Sequence, residues 1–211
     1  MGLSFETLAA PAVILVFLTA TVLLVSRDWR LSLLTLGAQY LGVFILVGMQ
    51  GRLETALTKL LAGWIAGVVL WLALVGTPAS GSGMISEGNP DRFSVSASTP
   101  SGWLFRLLAV GIVGLAVSSL TAPLLVWVQD LRLEQGWGAL LLVGLGLLHL
   151  GFTAHPLSVV VGLLTVLSGF EILYAAVEFS ALVVGLLAGV NLGLALIGAY
   201  LFLAPTLLEE E

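Results

Sequence analysis

Cysteine is absent from the chain, which excludes disulfides, thiolate zinc sites and cysteine-ligated iron–sulfur clusters at once. Electron transfer through the chain is therefore not expected, and no cofactor is assigned. Charge is nearly as scarce: charged residues make up 9% of 211 positions, too few to clothe a water-soluble surface. The formal charge of −5 owes much to Glu209, Glu210 and Glu211, so it describes a solvated tail rather than a binding surface. Nothing points to nucleic acid as a partner. A nucleophile elbow, a Walker loop, a dinucleotide fingerprint and a zinc motif are also missing. The 2 histidines and the acids match no recognised ligand spacing, so neither a catalytic residue nor a metal site is assigned.

Apolar residues fill the space that charge leaves. They make up 59% of the chain, and the mean hydropathy is +1.15. A transmembrane barrel would show segments of about ten residues with strict in/out alternation. Here the apolar runs are long, unbroken and rich in Leu, Val, Gly and Ala, which defines an all-α, polytopic transmembrane helical bundle in contact with the lipid bilayer. Interruptions at Arg27–Arg30, Gly51–Glu54, Thr77–Gly102, Asp130–Gln135 and Thr153–Pro156 predict spans over 8–26, 31–50, 55–76, 103–128, 136–152 and 156–208. The last is long enough for two crossings, giving seven helices. Residues 1–76 form a three-helix half and 103–211 a four-helix half. Between them 77–102, rich in Ser, Gly and Pro, reads as a flexible extramembrane loop. Met1 to Thr7 lacks the basic start of a cleaved signal peptide, so the first apolar run is read as a retained span. Trp103, Trp127 and Trp137 flank the ends of the fourth and fifth spans as interfacial aromatics do. Basic residues differ little between the two sides: Arg27, Arg30 and Arg92 face Arg52 and Arg132. The slight excess points to the Arg27 and Arg30 side as cytoplasmic.

Two acids, Glu171 and Glu178, lie inside a stretch from Gln135 to Leu208 that holds no other formal charge. A bare carboxylate is expensive in hydrocarbon, so an acid there trades protons, pairs with a buried cation, or marks a turn. Glu171, in Leu167-Ser-Gly-Phe-Glu-Ile-Leu-Tyr, is the leading proton-relay candidate. Glu178 follows seven residues on, on the same face and about 10 Å further along if the helix continues. A turn near Ala175 to Phe179 would leave Glu178 at the surface, whereas one at Gly185 to Asn191 would bury both acids. Ala181, Gly185, Gly189 and Gly193 recur every four residues and predict a small-residue ridge for helix packing, which favours a final helix over 179–203.

Lys59 stands about one turn inside the third span. Its four-carbon stem can snorkel to the headgroups, or the residue can be buried and exchange protons with a carboxylate. His149, in Gly146-Leu-Leu-His-Leu-Gly, is a further relay candidate because imidazole titrates near neutral pH, while His155 belongs to a loop. Gln39 and Tyr40, in Gly37-Ala-Gln-Tyr-Leu-Gly, echo Gly169-Phe-Glu-Ile-Leu-Tyr, each after a Leu-Leu-Thr run. A diverged repeat of a three-helix unit would account for this, with an amide in the first copy where the second has an acid.

The stretch from Leu145 to Glu171 resembles the small NuoK-type membrane subunit of respiratory complex I and its relatives in Mrp-type cation antiporters and membrane-bound hydrogenases. The likeness rests on Gly146-Leu-Leu-His-Leu-Gly, His155-Pro-Leu, Gly169-Phe-Glu171-Ile-Leu and the closing Asn191-Leu-Gly-Leu-Ala-Leu. In its length the chain is more similar to the larger E-type membrane subunit of energy-converting hydrogenases. The second acid of the family has no counterpart near Gly189. The resemblance implies a non-catalytic subunit of a NADH dehydrogenase-like or hydrogenase-like complex in a prokaryotic plasma membrane. Other membrane subunits would be its partners, it would have no soluble substrate of its own, and Glu171 would stand in a proton path. A stand-alone ion transporter or channel, and a structural subunit or assembly factor, are the competing readings.

Overall fold

A computed structural model describes residues 5–26, 28–51, 53–76, 100–178 and 180–208, with backbone alone at 5, 6, 100, 101 and 205–208. The elements are α1 (Phe5–Val25), α2 (Trp29–Gly48), α3 (Leu53–Gly76), α4 (Pro100–Trp127), α5 (Leu133–Gly151), α6 (Pro156–Val177) and α7 (Ala181–Leu208). All seven are long and apolar enough to cross a membrane, and the expected boundaries hold to within 3 residues where the sequence gives a polar interruption. The expected loop falls largely on 77–99, outside the described residues, and α4 already begins at Pro100.

Local chemistry ends each helix. After α2 the chain turns at Gly51, whose φ of 76° lies in the left-handed region that glycine enters without penalty. α6 opens on Pro156, which sits in the first turn where no backbone donor is needed. The boundary between α6 and α7 carries neither glycine nor proline. There Glu178 adopts an extended backbone (φ −147°, ψ 154°) and donates its N–H to the Tyr174 carbonyl. Ser180, a residue type suited to a helix start, accepts from Val184 N–H at 3.1 Å. Of the two expected turns the first is the one formed, so Glu178 is exposed and the last helix starts at Ala181.

The helices form two rows of three. α1, α2 and α3 make one row, α5, α6 and α7 the other, and corresponding helices face each other: α1 against α5, α2 against α6, α3 against α7. α4 lies along α5 and α1 at one end. The two rows face each other along all three pairs of helices. The two halves therefore share one core rather than forming separate bodies. Cross-row bonds fix the directions. Gln135 at the start of α5 donates to the Leu46 carbonyl near the end of α2 at 2.8 Å, and Arg106 near the start of α4 reaches the Leu24 carbonyl near the end of α1. Facing helices are therefore parallel. One face of the bundle, here the near face, carries the α2–α3, α4–α5 and α6–α7 turns.

Apolar packing divides into a cluster chiefly among α1, α2, α5 and α6, around Val16, Leu46, Leu142 and Ile172, and one among α2, α3, α6 and α7, around Leu36, Leu70, Leu164 and Ala195. The closest backbone approach joins α5 to α6. A Cβ on Gly169 would lie 2.7 Å from the Ala139 carbonyl oxygen, and one on Gly146 would lie 2.9 Å from the Val166 nitrogen. The ridge expected at Gly185, Gly189 and Gly193 makes no such contact: a Cβ on any of the three would meet nothing within 4 Å. α7 instead turns Val184, Leu187, Asn191, Ala195 and Ala199 inward, and its packing glycine is Gly198, against Leu70 and Val160. Asn191 accounts for this rotation, since a side-chain amide is costly in hydrocarbon and must face partners inside the bundle.

Candidate functional site

Polar side chains from four helices meet inside the bundle, with Tyr40 a member of the second apolar cluster and Ile172, next to Glu171, a member of the first. α3 brings Lys59 in because its inner stripe is small: Ala56, Ala62, Gly63, Ala66 and Ala73 are in phase with the lysine and buried or nearly closed off. Lys59 retains 2% of its side-chain exposure and Glu171 1%, with Nζ 3.4 Å from Oε1. This is an ion pair, not a snorkelling lysine. At about 1.5 Å per residue, each lies about 9 Å from the near-face end of its helix, well within a hydrocarbon core of about 30 Å.

Asn191 of α7 donates from Nδ2 to the same Oε1 of Glu171 at 3.0 Å. Tyr40 of α2 donates its hydroxyl to Asn191 Oδ1 at 3.2 Å. One row further in, Gln39 Nε2 donates to Thr165 Oγ1 at 3.4 Å, while Thr165 and Ser168 each donate to the carbonyl four residues back in α6, both at 2.8 Å. Glu171 Oε2, Gln39 Oε1 and Lys59 Nζ are buried without a hydrogen bond among the described residues. Buried polar atoms are seldom left so, and the three together describe a site with spare capacity for water or a proton. Tyr174, a turn beyond Glu171 toward the near face, also has a buried hydroxyl without a partner.

The expected relay residues thus divide. Glu171 and Lys59 come together. Glu178 stands exposed beyond the end of α6, so it is not part of the buried cluster. His149 lies in the last turn of α5, on the far-face side, half-buried against Gly162. Along α6, Gly162 and Glu171 are about 13 Å apart by helical rise, which separates His149 from the ion pair. Gln39 and Tyr40, noted for a repeat, prove to be members of the site. Asn191, Thr165 and Ser168 were not assigned to the site by sequence reasoning. Asn191 carried a usable signal, as a lone amide in a 28-residue apolar helix. No group of three or more His, Asp or Glu side chains that could hold a metal occurs among the described residues.

The fold and site define an integral membrane protein with seven helices among the described residues and a polar centre built by α2, α3, α6 and α7. Compared with protein-family models, with curated proteins and with solved structures, the chain has no match.

Proposed function

We propose that the chain is a non-catalytic membrane subunit of a larger redox-driven or antiporter-type complex, contributing a proton path in which Glu171 is the relay acid and Lys59 its charge partner. The single observation that carries this reading is the buried Lys59–Glu171 pair. Ionisable groups at membrane depth are costly to maintain and characteristically serve ion or proton movement. Lys59 offsets the charge that Glu171 carries once its proton has left, so the site can release a proton without leaving a lone carboxylate in hydrocarbon. The open Oε2 of Glu171 and Oε1 of Gln39 are where water would continue the path. The resemblance to NuoK-type subunits supports the same acid and the dependence on partner subunits.

The test replaces the chain with its Glu171→Gln variant in membrane vesicles and follows pH-gradient formation driven by the complex. The expected outcome is normal assembly with the gradient reduced to that of vesicles lacking the chain. An undiminished gradient would remove Glu171 as the relay. A second reading is a stand-alone proton or cation transporter, because this chain by itself supplies a buried acid, its cation and an amide bonded to the acid. Proteoliposomes holding only this chain would show ion flux on that reading and none on the first.

A further inference from the structure

Glu171 presents its two oxygens unequally. Oε1 takes both the Lys59 ammonium at 3.4 Å and the Asn191 amide at 3.0 Å, whereas Oε2 is buried with no hydrogen bond. A proton on Oε1 would face two donors, so protonation there is opposed at both contacts. The Asn191 amide can take two orientations with nearly the same shape. In the one formed, Oδ1 accepts from the Tyr40 hydroxyl and Nδ2 points at Glu171. Turned over, Oδ1 would face Oε1, where it could accept a proton carried on that oxygen. The hydroxyl of Tyr40 therefore bears on which oxygen of a residue in a different helix carries the proton.

Tyr40 is itself held in place. A Cβ on Gly63 would overlap the Tyr40 ring carbons, so the absence of a side chain at Gly63 is what allows the ring to lie against α3. The ring is almost wholly buried, and its hydroxyl donates to Asn191 Oδ1 with the Ser168 side chain also within reach.

We propose that Tyr40, seated on Gly63, is a positioning residue that orients the Asn191 amide and thereby assigns the exchangeable proton of Glu171 to Oε2. This rests on the reading of Glu171 as the relay acid. A proton delivered by water bonds to Oε2 and leaves from the same oxygen, while Oε1 keeps its contacts with Lys59 and Asn191 throughout. Proton entry and exit then share one side of the carboxyl, the side away from Lys59 and Asn191.

Infrared difference spectra of the full chain in lipid, recorded across a pH titration, test this through the carbonyl stretch of protonated Glu171. That band is identified as the one missing in Glu171→Gln. With the proton on Oε2, the carbonyl is Oε1 and accepts from Asn191. Asn191→Leu, close in volume, should move the band to higher wavenumber. Tyr40→Phe, which keeps the ring on Gly63, should move or broaden it in the same direction. Because Tyr40 acts through Asn191, the double variant should match Asn191→Leu alone. A band left unchanged by Tyr40→Phe, or additive shifts in the double variant, would overturn the positioning role. A band left in place or lowered by Asn191→Leu would overturn the assignment to Oε2. The flux measurement on Glu171→Gln is separate: a full pH gradient there ends the relay reading but leaves the infrared result to stand by itself.

Discussion

A lysine and a glutamate that meet inside a membrane protein stabilise it only as a pair. Removing one partner leaves a charge with no counterpart in a low-dielectric setting, at a cost of about 3–5 kcal/mol, whereas replacing both with apolar residues of similar volume is often neutral. Lys59→Met and Glu171→Leu are each expected to destabilise the protein on this scale, and the double variant to recover most of the loss. Thermal unfolding in lipid nanodiscs measures all three, and additive losses would show that the two residues do not interact. Each residue was legible by itself as a charge in an apolar run. Their pairing was not, because it depends on which face of α3 turns inward. The in-phase Ala56, Ala62, Gly63 and Ala66 held that information, since only a stripe this small lets α3 approach its neighbours. Asn191 was noted in a motif but not assigned to the site, because an uncharged amide barely alters a hydropathy profile, although its hydrogen bond to Glu171 makes it part of the site.

At the level of helices, glycine content predicted close packing but not its location. The regular four-residue spacing on α7 was the more visible pattern. The contact occurs instead at Gly146 and Gly169, where α5 and α6 bring backbone against backbone. Gly169→Ala should cost about 1–3 kcal/mol, because the added methyl meets a main-chain oxygen that cannot rotate away. It should also disturb Glu171 two residues on. Gly189→Ala, which meets nothing, should be neutral or gain up to about 1 kcal/mol from helix propensity. Chemical denaturation of the two variants in matched detergent distinguishes these outcomes, and equal losses would contradict the packing described. The break between α6 and α7 was readable as one of two alternatives. Glu178 and Ser180 supply a polar residue and a helix-starting residue without glycine or proline, a weaker signal than the Thr153–Pro156 turn that precedes α6.

For the molecule as a whole, the count of helices and nearly all their limits followed from hydropathy, because a bilayer imposes a minimum apolar length that a sequence cannot disguise. How the helices are arranged did not follow, since lipid-facing and core-facing apolar residues look alike. The two rows interlock through α1 with α5, α2 with α6 and α3 with α7, so the link between α3 and α4 is not required to hold them. A protease site inserted between positions 77 and 99 should yield two fragments that still co-elute in mild detergent and retain the Lys59–Glu171 contact. Separation of the fragments on a sizing column would show that the rows do not hold each other.

The shared direction of facing helices bears on how any transport cycle could run. In proteins built from inverted repeats, the halves can exchange conformations, so states open to opposite sides of the membrane are near mirror images in energy. Here, turning the molecule over does not superpose one row on the other. The two states of any such cycle therefore need not be equal in energy, while the direction of net flow is set by the gradient or the reaction that drives it.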